Sequence, residues 1–250
     1  MRSWSSFAVI GSSSGRPLLA PGARPWAGAL LVCCAAFVAV LGVLFAHQTR
    51  ADGFDHAIDS PVITWLGGHG GLLLWLAAPG SLIPAVVLSA VIVGACLLTG
   101  RLNGAVLAAA AVPVSVGLDE ALLKPLVHRT YLGSLVYPSG HTTAVFALAA
   151  TVTVLLLVPP QPAKAAALRV LIPVAACGLG VVVAVAVIGL QCHYFTDTLA
   201  GAAVAIGTVC GLALLLDLPV PRRWFARAGR RPTAQERRDH VAPTGTGAST

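Results

Sequence analysis

The sequence contains few charged residues. Of its 250 residues only 10% are Asp, Glu, Lys or Arg, whereas 57% are hydrophobic and the mean hydropathy is +0.85. A soluble globular domain carries about a quarter charged residues, so this composition excludes an ordinary soluble fold. The long apolar runs instead predict an all-α, polytopic membrane protein, because a spanning helix needs about 20 apolar residues.

Closely spaced cysteine pairs are also lacking. None of the six cysteines forms a CxxC motif, and five lie inside apolar runs. Zinc sites and disulfide frameworks have recognisable cysteine spacings, so we interpret these residues as small apolar packing groups. Cys192 is different because it precedes His193, and a metal site built from Cys192, His193, His141 and Asp197 stays open as an alternative.

Lysine is nearly absent, with two lysines against 14 arginines in a chain of net charge +7. Most of the basic residues lie near the two termini. We therefore predict a basic cytoplasmic tail over residues 1–26, a six-helix membrane domain over 27–216, and an Arg-rich, disordered cytoplasmic tail over 217–250. Such a tail favours anionic lipid over nucleic acid as its partner.

Six spanning helices are expected. With both termini in the cytoplasm, 13 basic residues fall inside and only Arg50, Lys124 and Arg129 fall outside, as the positive-inside rule requires. This topology places a multi-pass protein in the cell membrane, with residues 47–70, 128–141 and 193 on the extracytoplasmic face. The expected spans are 27–46, 80–98, 104–123, 140–158, 167–190 and a last helix ending near 216, with Pro79-Gly80 interrupting the apolar run before the second.

A polar stretch from Tyr137 to Thr143 separates two apolar runs. Pro138 fixes its own φ, and Ser139 is a good N-cap for a helix that begins near Gly140. The free N–H groups at such a helix start, next to a glycine that permits close approach, bind anions. His141, one residue further, is placed to donate a proton to a leaving oxygen.

A second polar pair is expected at the same face. His193 and Asp197 are four residues apart, so on a helix the carboxylate could accept from one imidazole nitrogen and leave the other as a nucleophile or base. Lys124 and Arg129 could clamp an anion. Asp119 and Glu120 either pair with Lys124 or tune the site, and the sequence does not decide between these roles.

These residues, in this order, resemble the type 2 phosphatidic acid phosphatase (PAP2) family of membrane lipid phosphatases, which is related to vanadium haloperoxidases. The family has three signatures: Lys, six residues and Arg-Pro; Pro-Ser-Gly-His; and Ser-Arg, five residues, His, three residues and Asp. Lys124 matches the first lysine, residues 138–141 match the second signature in full, and His193 and Asp197 match the end of the third. The resemblance covers about residues 30–216 and includes the six-helix architecture.

The resemblance implies roles for each residue. His193 would form a phosphohistidine with Asp197 in support, and His141 would be the general acid. The phosphoryl oxygens would be held by Lys124, Ser139 and Gly140, with Arg129 as the available substitute for a family arginine. No metal or other cofactor is implied.

Two family arginines are absent. Tyr131-Leu132 stands at the Arg-Pro position, and Ala186-Val187 stands at the Ser-Arg position. The leading hypothesis is a phosphoric-monoester or diphosphate hydrolase acting on a polyprenyl phosphate, phosphatidate or phosphatidylglycerophosphate in the bilayer. A catalytically weak or inactive protein that binds lipid phosphate, and a small channel or transporter, are the alternatives. The sequence predicts no nucleic-acid partner and leaves the oligomeric state open.

Overall fold

A computed structural model describes residues 17–157 and 166–218. Most of both predicted tails and the proline-rich turn at 159–162 lie outside the described residues. The described helices are α1 (Arg24–Leu44), α2 (Gly53–Leu66), α3 (Gly70–Ala77), α4 (Leu82–Leu98), α5 (Leu102–Leu118), a π-helical turn (Asp119–Leu123), α6 (Lys124–Val127), α7 (Gly140–Leu157), α8 (Ala166–Gly189) and α9 (Phe195–Leu216). Short 3-10 turns cover Pro21–Ala23, Gly67–His69 and Ala78–Gly80.

The helical membrane class is confirmed. Six helical stretches in the described part of the chain are long and apolar enough to cross a membrane, and the shorter apolar helix Leu82–Leu98 accompanies them. The long stretches are Pro21–Leu44, Gly53–Gly80, Leu102–Val127, Gly140–Leu157, Ala167–Gly189 and Phe195–Leu216. One small hairpin, β1 (Thr130–Tyr131) paired antiparallel with β2 (Ser134–Leu135), interrupts the helices.

One end of the bundle is closed by contacts between distant parts of the chain. The N–H groups of Leu18 and Leu19 donate to the carboxylate of Asp217, which follows α9, at 2.7 and 2.9 Å. Arg101 donates from between α4 and α5 to the carbonyl of Leu155 near the end of α7, at 2.8 Å. We call this the far end, and the opposite end the site end.

The segment Gly53–Gly80 stays at the site end, although its length and composition suit a membrane span. Near its start, Asp55 accepts a hydrogen bond of 2.9 Å from the backbone N–H of Thr196, in the first turn of α9. Near its middle, Leu73 packs against Gly189, the last residue of α8. Helix α8 ends at Gly189 and Thr196 lies in the first turn of α9, so both contacts are at the site end. The segment Gly53–Gly80 therefore lies across that end of the bundle.

The segment also finishes at the site end. Its last residue, Gly80, contacts the backbone of His141 so closely that a Cβ on it would lie 2.6 Å from the His141 carbonyl oxygen. Helix α4 starts beside this contact, after Ser81, and runs 17 residues to the far end. At 1.5 Å per residue that is about 25 Å, so α4 is the second crossing, and the break predicted at Pro79-Gly80 is present.

Small side chains form the centre of the bundle. Helices α5, α7 and α9 meet over buried residues that are mostly alanine and valine, and they include Ala111, Ala147, Ala205 and Val209. Residues this small let membrane helices approach closely. Many large apolar side chains of α1, α4 and α8 are exposed instead, as expected for surfaces that meet lipid.

The closest approach in this centre occurs at Gly201 of α9. A Cβ on Gly201 would lie 2.6 Å from the carbonyl oxygen of Ser139 and 2.9 Å from the Thr143 hydroxyl. The Thr143 hydroxyl also donates to the Gly201 carbonyl at 3.2 Å. Glycine is therefore required at position 201 for α9 to hold the start of α7.

We predict that Gly201→Ala destabilises the protein by about 1–3 kcal/mol, since the added methyl meets a backbone atom that cannot move aside. Thermal unfolding of purified protein in detergent measures the effect. Gly117→Ala in α5 is the matched control: its added Cβ has no atom within 4 Å, and alanine is the better helix former by about 1 kcal/mol. Equal melting temperatures for the two variants would contradict this packing.

Candidate active site

A cavity of about 460 Å³ opens at the site end, and we call it the central cavity. Four of the seven predicted site residues line it: Lys124, Gly140, His141 and His193. Its deeper wall is apolar and is formed by residues of α4, α5 and α7. The structure therefore brings a lysine, two imidazoles and the start of α7 together above an apolar floor.

His193 lies in the turn between α8 and α9, with its imidazole held by the backbone. Nδ1 is 2.9 Å from the carbonyl oxygen of Val136. A carbonyl oxygen only accepts hydrogen bonds, so Nδ1 carries the proton and Nε2 keeps a lone pair. The tautomer fixed in this way has Nε2 as its nucleophilic atom.

The same residue is neutral near pH 7. Burial lowers the pKa of His193 to about 3, and the positive charges of Lys124 and His141 act in the same direction, against the hydrogen bond to Val136. A neutral imidazole is the form that attacks an electrophile. His193 therefore needs no neighbouring base to remove a proton from Nε2 before that atom can attack.

Asp197 forms no hydrogen bond with His193, so the prediction that it orients the imidazole is wrong. Helix α9 begins two residues after His193, so the helical four-residue spacing does not apply to this pair. One Asp197 oxygen accepts from the backbone N–H of Tyr194 at 3.0 Å, and the other accepts from Arg129 at 2.7 Å. The orienting acceptor is the Val136 carbonyl instead.

Arg129 is fully buried and forms a network with side chains from α2 and α9. Its guanidinium donates to Asp55 at 2.5 Å and to Asp197 at 2.7 Å. It also donates to the Thr196 hydroxyl at 2.7 Å. All three partners are themselves almost completely buried, and we call these four residues the Arg129 network.

The predicted role of Arg129 in an anion clamp is therefore wrong. Its guanidinium lies between the rings of Phe45 and Tyr194, at 4.2 and 4.4 Å from their centroids, and it does not line the central cavity. Its backbone still serves the site, because the Arg129 carbonyl accepts from the N–H of Val136 at 3.0 Å. The residue positions the acceptor that holds His193.

We predict that Arg129→Met lowers the free energy of unfolding by about 3–5 kcal/mol, because it leaves two buried carboxylates without their cation. The control is Arg24→Met at the far end, where the pair with Asp217 is 3.5 Å long and the arginine side chain is 41% exposed. The arginine is partly solvated, and the Asp217 carboxylate keeps its hydrogen bonds from Leu18 and Leu19, so loss of this pair should cost about 1 kcal/mol or less. Similar melting temperatures for both variants would contradict the network's structural role.

Ser139 is buried behind the cavity wall. Helix α7 begins at Gly140 as predicted, but Ser139 is 0% exposed and does not line the central cavity. Its hydroxyl accepts from the Thr142 hydroxyl at 3.2 Å, and its N–H donates to the Asp197 carbonyl at 3.0 Å. Its predicted contact with phosphate is not available in this arrangement, and its contacts fasten α7 to α9.

Glu120 is part of the central cavity. Its carboxylate accepts from Lys124 at 2.6 Å, one turn away. The same oxygen lies 3.2 Å from where a Cβ on Gly140 would be, so a carboxylate occupies the space beside the N-terminus of α7 that suits an anion. Of the two roles left open by the sequence, pairing with Lys124 is present for Glu120. Asp119 is fully buried and lines no part of the cavity.

Several residues at the site carry no recognisable sequence signal. Leu132 and Gly133 both have positive φ, 49° and 84°, as a two-residue hairpin turn requires, but Leu-Gly lacks the usual Asn-Gly or Asp-Gly signature. The Ser81 hydroxyl lies 3.5 Å from Nε2 of His141. Val136 acts through its carbonyl, which any residue would supply.

Packing explains one of the missing family arginines. Ala186 and Val187, at the family's Ser-Arg position, are buried in an apolar cluster with Leu73 and Ala77 of α3. An arginine at 187 would place a charge inside this cluster. Helix α3 thus occupies the space that a guanidinium would need.

The chain is similar to known proteins in both sequence and fold. Residues 119–219, which contain all seven predicted site residues, match the model of the PAP2 superfamily. The similarity to this superfamily covers the segment from the π-helical turn to the end of α9. A crystal structure of a transmembrane PAP2-type phosphatidylglycerolphosphate phosphatase from Bacillus subtilis is similar, with a TM-score of 0.59, 17% sequence identity, and coverage of 80% of this chain and 98% of that chain. No curated protein matches the sequence.

Proposed function

We propose that this PAP2 protein is a phosphatase that removes phosphate from a membrane lipid phosphate or diphosphate through a phosphohistidine on His193. The observation that carries the proposal is the state of His193: a neutral imidazole, with Nδ1 hydrogen-bonded to Val136, on the wall of a cavity that also holds His141 and Lys124. The PAP2 match supports the same chemistry. By the family resemblance, the reaction needs no metal.

The first step transfers the phosphoryl group to the protein. Nε2 of His193 attacks phosphorus, the bond from phosphorus to the lipid oxygen breaks, and protonated His141 gives its proton to that oxygen. Lys124 and the free N–H groups at the start of α7 face the non-bridging oxygens, where negative charge is held. The products of this step are the free lipid alcohol, or lipid monophosphate, and phosphohistidine.

The second step restores the site. His141, now neutral, accepts a proton from a water molecule, whose oxygen attacks phosphorus and breaks its bond to Nε2. Inorganic phosphate leaves, and His193 and His141 return to their starting states.

The apolar floor of the cavity, which includes Ala85 and Val112, suits a substrate whose chains lie in the bilayer. Phosphatidate, phosphatidylglycerophosphate and prenyl diphosphates all combine a phosphate headgroup with apolar chains. The charge distribution of the sequence supports a site on the extracytoplasmic face.

We predict that purified protein in detergent releases phosphate from at least one lipid of that panel in the presence of a chelator. His193→Ala should lower the rate at least about a thousandfold, since it removes the nucleophile, and acid-labile phosphoprotein should be trapped only with His193 present. His69→Ala is the matched control, because that imidazole is exposed and lines neither cavity beside His193. Absence of release from every lipid, or undiminished release by His193→Ala, would refute the proposal.

We predict that Glu120→Gln tightens binding of inorganic phosphate, because it removes a negative charge from the place beside Lys124 and Gly140. An exposed pair contributes at most about 1 kcal/mol, so the inhibition constant of phosphate should fall by about three- to sixfold. Asp52→Asn provides the control: this acid caps α2 at the same end and does not line the central cavity. An unchanged constant in Glu120→Gln would show that the carboxylate does not compete with the anion.

The small number of cations in the central cavity supports a second candidate function. Lys124 is the one Lys or Arg in the described part of the central cavity, and it is paired with Glu120. A site with so little positive charge could bind a lipid phosphate and turn it over poorly. Lipid-phosphate binding that survives His193→Ala, with no trapped phosphoprotein, would favour this binding role.

A further inference from the structure

The central cavity has almost no uncompensated positive charge for a phosphate. Lys124 is 2.6 Å from the Glu120 carboxylate. Arg129 is committed to Asp55 and Asp197 and is fully buried. A phosphate monoester near neutral pH carries between one and two negative charges, and its transfer is stabilised by cations at the non-bridging oxygens. The proposed reaction therefore needs another cation at the site end.

A second, smaller cavity adjoins the central one. Its volume is about 250 Å³, and Tyr131, Leu132 and His193 line both cavities. His193 thus stands at a wall that the two cavities share. Apart from Tyr194, the remaining lining residues come from the connection before α2 and from α2 itself, and they include Arg50, Thr49, His56, Asp59 and Ser60. We call this space the Arg50 cavity.

Arg50 is the uncommitted cation at this end. Three Lys or Arg residues lie at the site end of the described chain, and Arg50 is the one that forms no ion pair with any described residue. It is exposed, so its long side chain retains freedom to move. A guanidinium binds phosphate oxygens through two parallel N–H groups, which a lysine cannot do.

The backbone fixes Arg50 next to the position of the missing family arginine. The carbonyl of Gln48, two residues before Arg50, accepts from the N–H of Thr130 at 2.9 Å. Thr130 directly precedes Tyr131, which stands where the family signature has arginine. The N–H of His47 also donates to the carbonyl of Val127 at 2.9 Å. The connection that carries Arg50 is therefore bound to the hairpin.

The other polar groups of the Arg50 cavity leave the arginine available. Asp59 is 6% exposed, and its Oδ1 accepts from the backbone N–H of Phe195 at 3.2 Å. His56 is hydrogen-bonded through Nδ1 to the Ser60 hydroxyl at 3.1 Å. The one carboxylate of this cavity is therefore bound at one oxygen to the start of α9 and forms no ion pair with Arg50, which is the exposed cation beside His193.

We propose that Arg50 is a phosphate-binding residue, which reaches from its own cavity to the non-bridging oxygens of a phosphoryl group at His193 and replaces the family arginine absent at position 131. This inference rests on the proposed function for its catalytic consequence. Its binding part does not, because the ligand chemistry is that of phosphate itself, free or as a lipid headgroup.

Arg50→Gln, Arg50→Lys and Arg24→Gln test the proposal. We expect Arg50→Gln to lower kcat/KM on the lipid substrate by about 10- to 100-fold and to weaken binding of inorganic phosphate by about tenfold. Arg50→Lys should recover part of both, since it restores charge without the two-pronged geometry. Arg24→Gln, the same change at the far end, should remain within about twofold of wild type. Melting temperatures establish that all three variants are folded.

The outcomes separate this inference from the proposed function. Wild-type turnover that Arg50→Gln leaves unchanged would overturn the role of Arg50 and leave the phosphatase standing. Lost turnover with unchanged phosphate binding would also overturn it. If wild type releases phosphate from no lipid, the proposed function fails, and the phosphate affinities of wild type and Arg50→Gln still decide whether Arg50 binds phosphate. A lipid phosphate in vesicles, compared with inorganic phosphate, distinguishes the headgroup from the free anion.

Discussion

The buried guanidinium of Arg129 is the interaction on which the site end depends. One cation is held between two carboxylates, Asp55 and Asp197, with no exposed surface on any of the three. Removing charges from water is costly, and only complete pairing offsets the cost. The pairing joins the end of α1 through Phe45, the start of α2, the hairpin and the start of α9. These segments are held together because their separation would leave buried charges unpaired.

The pairing of Asp197 with Arg129 changes how His193, the proposed nucleophile, is held. Since Asp197 serves Arg129 and its own helix start, His193 has a neutral backbone carbonyl as its partner. A carboxylate at Nδ1 would favour the imidazolium and raise the pKa of His193. The carbonyl of Val136 fixes the tautomer without that charge, and burial then keeps the imidazole neutral. Such an imidazole suits a role as nucleophile better than a role as general base.

Hydrophobicity predicted the helices, and local chemistry predicted the start of α7 at Gly140 and the break at Pro79-Gly80. The same reasoning failed for Asp197 and Arg129, because their partners are set by the tertiary fold. Asp55 is 74 residues from Arg129 in the sequence, and no periodicity relates them. The pair of His193 and Asp197 failed for a local reason: a helix that begins after residue 193 cannot impose helical spacing on it. Backbone acceptors such as the Val136 carbonyl leave no trace in the sequence at all.

The burial of Arg129 and the aromatic residue at position 131 are physically linked. The ring of Tyr194 contacts the Arg129 guanidinium at 4.4 Å and the Tyr131 ring edge-to-face at 4.8 Å. A guanidinium in place of the Tyr131 ring would share Tyr194 with Arg129, and two like charges that close disfavour each other. Once Arg129 is buried as the structural cation, an aromatic side chain at 131 is the compatible neighbour. The exposed cation of the site end therefore lies on a different segment: it is Arg50, in the connection that is bound to the hairpin.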